Sequence, residues 1–182
     1  MSRAAAPAGD QVRVSVLVAV PPAAAFEIFT QEIDRWWRRG PRFRASRTQR
    51  GIICIEPRVG GRLFESIESG AGEHVVQTGT VTAWEPPSRL CFDWQGVNFA
   101  PGEKTNVEVG FAPSPSGTLL TVTHRGWSGL RADHPVRHGR EPAAFIRMMG
   151  MWWGDLMTSL RELAAGPHAA RYAATQRPHS RS

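Results

Sequence analysis

The stretch EPAAFIRMMGMWWGDLMTSLRELA, residues 141–164, decides the fold. Its large apolar side chains fall at Phe145, Met148, Met149, Trp152, Trp153, Leu156, Met157, Leu160 and Leu163, while Arg147, Asp155, Thr158, Arg161 and Glu162 turn mostly outward. Spacings of three and four mark one broad helical face. Glu141 with Pro142 suits a helix start and Gly166-Pro167 a helix end, so the sequence predicts one long amphipathic helix from Glu141 to about Ala164. Such a face must be covered by a second layer.

That layer is legible upstream. Val12 to Val20 carries valine at every even position, the period-two signature of a strand. Pro21 and Pro22 stop it, and Pro22 fits the first turn of a helix that turns Ala25, Phe26, Ile28 and Phe29 inward. A second short helix is expected over Glu32 to Trp37. Strand-like runs follow at Gly51–Glu56, Arg62–Ile67, His74–Trp84, Arg89–Gln95, Thr105–Ala112 and Thr118–His124. The turns Pro57–Gly61, Pro86-Pro87 and Pro113–Gly117 are short, and short turns join antiparallel neighbours. Gly126–Gly139 reads as a longer irregular loop. The expectation is an α+β helix-grip fold: a curved antiparallel sheet of about seven strands wrapped around the long C-terminal helix, with two short helices after the first strand.

Length and composition agree with one such domain. The chain has 182 residues, 41% hydrophobic and 21% charged, enough to bury roughly 70% of its unfolded surface. Residues 1–10 and 166–182 are rich in Ala, Pro, Gly, Arg and Ser and are expected to be disordered, which leaves residues 11–165 as the domain. No apolar run reaches the roughly 18 residues of a membrane span, and the start lacks the zones of a secretory signal. Cytoplasmic residence is the simplest inference. Cys54 and Cys91 form no CxxC pair and are expected to be reduced strand residues.

The net charge of +6 is uneven. Residues 35–50 hold seven arginines and no acid, and residues 166–182 add Arg171, Arg177 and Arg181. Against the chain total of +6, these ten charges leave the remainder at −4. The basic run reads as a solvated loop, because only Phe43 is interleaved for base stacking. Nucleic acid therefore ranks last among partners.

Several motifs are similar to a known family. The Pro-Pro helix leading to Trp36-Trp37, the run Ile55–Glu65 with its Gly60-Gly61 turn, and Gly79–Leu90 resemble the activator of heat-shock protein 90 ATPase homologue-like family. So do Thr105–Phe111, Gly117–Gly126 and Trp152-Trp-Gly-Asp-Leu156, and the match runs in order over roughly residues 12–163. The resemblance implies membership of the START-like, or SRPBCC, superfamily, whose members resemble birch pollen allergen and enclose an apolar cavity between sheet and C-terminal helix. It transfers function less well than fold.

Strand parity identifies candidate cavity residues. Leu90, Phe92 and Trp94 share one face, as do Val107, Val109 and Phe111, and Leu120, Val122 and His124. With Trp36, Phe64, Met148, Met149, Trp152 and Leu156 they would form an aromatic and thioether wall for a flat or aliphatic ligand. The competing reading is that the same residues fill a closed core. His124 could bond a ligand carbonyl or act as general acid or base. Glu65 and Asp93 are possible partners, but no Ser-His-Asp or Cys-His order is present, so no catalytic residue is assigned.

No metal site or cofactor is assigned. His134 and His138 lie four apart beside Asp133, but Pro135 and the flanking glycines make that segment a loop. Gly60-Gly61 lacks the residues of a phosphate loop and reads as a tight hairpin, with Arg58 and Arg62 pairing to Glu56 or Glu65.

Three functions follow, in order. The first is a non-catalytic or weakly catalytic module that binds a small hydrophobic molecule between sheet and long helix. The second is an interaction protein that stimulates a chaperone ATPase, and the third a cyclase or hydrolase using His124. The sequence leaves ligand identity and oligomeric state open.

Overall fold

Alternation sets the sheet. In a computed structural model that describes residues 10–46 and 51–171, the even-numbered valines of the first strand, β1 (Gln11–Val18), turn toward the core while Arg13, Ser15 and Leu17 turn to solvent. The other strands are β2 (Gly51–Ile55), β3 (Arg62–Ser69), β4 (Gly72–Glu85), β5 (Arg89–Trp94), β6 (Thr105–Ser114) and β7 (Gly117–Arg125). All neighbours pair antiparallel, in the order β1-β7-β6-β5-β4-β3-β2. Strands β2 to β7 are thus a meander, and β1 closes on the far edge against β7. Register shifts between Leu63 and Phe64 and between Val81 and Ala83 bend the long β4 and its partners.

Two short helices, α1 (Pro22–Gln31) and α2 (Ile33–Trp36), follow β1, and the long α3 (Pro142–Leu163) follows the loops after β7. Pro22 and Pro142 both occupy the first helical turn, where a missing N–H costs nothing. Helix α3 buries Phe145, Met149, Trp153, Leu156, Met157 and Leu160 against the concave sheet. Phe26 and Phe29 of α1 meet Phe111 of β6, with centroids 5.1 and 5.8 Å apart. The α+β helix-grip architecture is therefore present, with seven strands, two short helices and one long one.

Several expectations need correction. β1 ends at Val18 rather than Val20, because its ladder with β7 ends at Thr118, whose hydroxyl instead donates to the Val20 carbonyl at 2.8 Å. Helix α3 ends at Leu163 and the chain breaks helical geometry at Gly166, as expected, but it then turns helical again instead of staying irregular. A wide turn covers Ala164–His168 and helical residues continue to 171, with the break confined to Gly166 at ψ −144°. Residues 1–9 and 172–182, for which disorder was expected, lie outside the described residues.

The basic run is not simply a solvated loop. Arg44 is buried and ion-paired to Asp34 at 2.7 Å, Arg39 pairs with Asp34 at 3.0 Å, Arg35 pairs with Glu32, and Arg38 reaches Asp155 at 3.9 Å. Arg47 and Arg50 lie outside the described residues.

Candidate functional site

A cavity of about 320 Å³ opens at one end of the grip, between the sheet, α3 and the loop after α2. Its floor is Ile53 of β2, Leu63 and Glu65 of β3, Thr78 of β4 and Trp94 of β5. Its roof is Met148, Met149 and Trp152 of α3, and its sides are Trp37, Pro41–Ala45, residues 96–99, Trp127, Val136 and His138. The size falls at the low end of the roughly 300–1,000 Å³ typical of small-molecule sites.

Aromatic rings fix the shape of the wall. Trp37 and Trp94 lie nearly parallel at 17° with centroids 5.9 Å apart, and Phe43 and Trp152 lie at 22° and 5.7 Å. The two pairs stand nearly perpendicular, Trp37 meeting Trp152 at 76° and 5.7 Å. Indole N–H groups tie the loop to this box: Trp152 Nε1 donates to the Arg42 carbonyl at 2.7 Å and Trp37 Nε1 to the Phe43 carbonyl at 2.8 Å.

Polar groups of the wall divide by how well they are paired. Arg44 donates to Asp34 Oδ1 and to the carbonyls of Trp37, Arg38 and Gly51. Burial pushes the Asp34 pKa up, but the Ile53 N–H and the hydrogen bond and charge of Arg44 outweigh it, so the carboxyl stays below its ordinary value. Glu65 is only 3% exposed. Its Oε2 accepts from the N–H of Ala45 at 2.7 Å and of Ser46 at 3.4 Å, whereas Oε1 has no hydrogen-bond partner among the described residues. The Trp127 Nε1 is likewise unpaired among the described residues.

Of the residues expected in the wall, Trp94, Met148, Met149 and Trp152 line the cavity. Trp36, Phe92, Val109, Phe111, Val122 and Leu156 are buried in the closed core beside it, with Trp36 Nε1 donating to the Ile28 carbonyl at 3.0 Å. Phe64 falls on the opposite face of β3 from Leu63 and Glu65, where the Arg62 guanidinium lies 4.7 Å from its ring centre. The inward residue of that strand is its neighbour Glu65.

His124 is fully enclosed. Its Nδ1 accepts from Trp153 Nε1 at 3.1 Å, so the proton sits on Nε2 and is donated to Thr105 Oγ1 at 2.7 Å. Burial pushes its pKa down to about 3. Both ring nitrogens are engaged within the core, and neither Glu65 nor Asp93 is near enough to bond them; Asp93 pairs with Lys104 at 2.7 Å. A native imidazole that stays neutral while the unfolded one titrates near 6.5 makes stability fall with acidification from about pH 6.5 toward 3. Nitrogen-15 spectra of the ring should show protonated Nε2 and bare Nδ1, unchanged from roughly pH 8 to 5. Titration near the ordinary value would overturn this assignment.

The remaining candidates have structural roles. His134 bonds Glu103 at 2.9 Å and accepts from the Val136 N–H, and no cluster of three metal-binding side chains occurs among the described residues. Arg62 and Arg58 pair with Glu56 at 2.7 and 3.4 Å. Those pairs hold the Glu56 carboxyl down at about 2. Burial pushes both the half-buried Cys54 thiol and the buried Cys91 thiol up.

Sequence reasoning missed Trp37, Phe43, Phe99, Trp127 and Glu65 in the wall. Four of these sit on loops or helix ends, where neither strand nor helix period applies. The one available signal was the register of β3, in which Glu65 alternates with the outward Phe64.

Similarity to known proteins follows the same outline. The sequence model of the family described as Activator of Hsp90 ATPase homolog 1-like protein matches residues 19–165. A protein of Nitrosomonas europaea has a similar structure, with a TM-score of 0.60 and 17% identity over 89% of this chain and 98% of that one. An HSP90 activator from Plasmodium falciparum gives a TM-score of 0.57 and 18% identity over 85% and 95% of the two chains. An AHSA1-like protein from Aeromonas hydrophila gives 0.55 and 18% over 94% and 99%. At these identities the structures report shared fold alone, and among curated proteins no significant sequence match is found. No helix among the described residues is long and apolar enough to cross a membrane. With its family match spanning nearly the whole folded body, the chain belongs to the Activator of Hsp90 ATPase homolog 1-like protein family.

Proposed function

We propose that the protein binds a small, largely apolar molecule in the cavity between its sheet and α3. The observation that carries this reading is the cavity of about 320 Å³ itself, part of whose wall is the contacting ring cluster of Trp37, Phe43, Trp94 and Trp152. A well-packed interior leaves few voids larger than a water molecule. Aromatic and thioether side chains around about 320 Å³ offer large contact area with few rotatable bonds.

A neutral probe tests it. Phenethyl alcohol should quench tryptophan fluorescence saturably and raise the melting temperature by mass action. Trp152→Ala, which removes one side of the box, should weaken binding roughly tenfold. Linear, unsaturable quenching with no thermal shift would reject the reading.

Stimulation of a chaperone ATPase is the second reading, supported by the fold shared with the Plasmodium falciparum HSP90 activator. It would use an outer surface and not the cavity. Added at saturation to the chaperone of its own host, the protein should raise ATP turnover, and an unchanged rate would reject this role.

A further inference from the structure

Taking the cavity as a small-molecule site, we propose that its occupant is an organic cation, an amine or ammonium group on an apolar body, whose charge is held by Glu65 and the surrounding rings. A carboxylate buried to 3% exposure is costly unless something neutralises it. Among the described residues Glu65 has no cationic partner, and its Oε1 accepts no hydrogen bond. The other buried charge of the wall, Arg44, is already matched by Asp34 at 2.7 Å. The backbone makes room for the carboxylate: a Cβ on Gly51 would stand 2.1 Å from Oε1, so this position is kept bare beneath it.

The rings supply the second half of the site. Tryptophan and phenylalanine faces carry negative potential and attract ammonium groups, most strongly where water is excluded. Trp37, Trp94, Trp152 and Phe43 line the same space as Glu65, and the protein itself sets a guanidinium, that of Arg42, 5.5 Å from the centre of Phe43. A neutral alcohol would leave the carboxylate's charge unbalanced. A carboxylate would meet a like charge inside. Arg42 and His138 could attract one at the rim, but both are exposed and screened.

Three probes sharing one apolar body separate these chemistries: phenethylamine, phenethyl alcohol and phenylpropionate, titrated calorimetrically into the full chain. The amine should bind about tenfold or more tighter than the alcohol, with the carboxylate weakest. Glu65→Gln keeps an oxygen for the Ala45 N–H and should bring the amine down to the alcohol's affinity while leaving the alcohol within about twofold. Thermal melts check that the variant is folded, and the order of the three probes on the unaltered protein decides the matter independently. Equal or tighter binding of the alcohol, tightest binding of the carboxylate, or an amine preference that survives Glu65→Gln would overturn the proposal. If only the alcohol binds, the cavity reading stands and the cation falls; if none of the three binds, both fall.

Discussion

Replacing Trp153 by alanine is expected to lower the unfolding free energy by about 5 kcal/mol, enough to unfold many domains of this size at room temperature. The indole is fully buried against the sheet, and its Nε1 is the donor that occupies His124 Nδ1. Alanine therefore leaves both a cavity and an unpaired nitrogen in the core. Trp153→Phe separates the two costs. It keeps most of the volume and removes the N–H, so it should lose about 1–2 kcal/mol beyond ordinary repacking. Urea denaturation of both variants at neutral pH measures this. Equal, small losses would mean that the core collapses around the missing ring and that the Trp153–His124 bond contributes nothing.

Arg44→Ala should cost about 3–5 kcal/mol, far beyond the effect of losing a solvated arginine. Its guanidinium links the chain after α2 to Asp34 and to the start of β2, donating to the Trp37 carbonyl at 2.7 Å and the Gly51 carbonyl at 3.3 Å. Lysine lacks the planar fork that reaches these acceptors together, so Arg44→Lys should lose nearly as much. The sign with pH follows from Asp34, whose carboxyl lies below its ordinary 3.8 in the folded chain. The stability it contributes is present above that ordinary value and is lost as pH falls through the lowered native value. Without Arg44 the acid side of the stability profile should become shallower. An unchanged acid profile in Arg44→Ala would show that the Ile53 N–H and Arg39 alone hold Asp34 ionised.

The contrast between these two residues explains how much was legible. Trp153 was readable because a helix writes its buried face into the sequence at intervals of three and four, and the same holds for the alternating valines of β1. Parity likewise placed Phe92, Val109, Phe111, Val122 and His124 on the inner side of their strands. It did not tell cavity from core. Trp94 and Phe92 have the same parity on β5, yet only Trp94, one pleat nearer the open end, lines the cavity. How far a helix sits from a sheet at each level depends on the loops that wedge between them, and loops carry no period. Arg44 shows the same limit from the other side: among seven arginines in sixteen residues, composition gave no reason to single out the one that is buried. Phe64 is an aromatic on the outer face of β3, where plain alternation with the buried Leu63, Glu65 and Ile67 already marks Glu65 as the inward residue. The extra residue at the nearby register shift, Thr78, belongs to β4.

The pairing of β1 with β7 carries a kinetic consequence. Ser15 and Thr121 share a hydrogen bond of 2.8 Å across 106 positions of sequence, and α3, which packs on β1, begins later still. During synthesis the first strand emerges early but has no edge to join until β7 has left the ribosome. Contacts of such long range slow folding relative to locally connected folds. Because its docking edge is the last part of the sheet to be made, the N-terminal strand waits longest, and variants that weaken the β1–β7 seam should lengthen the time nascent chains spend exposed to chaperones and proteases.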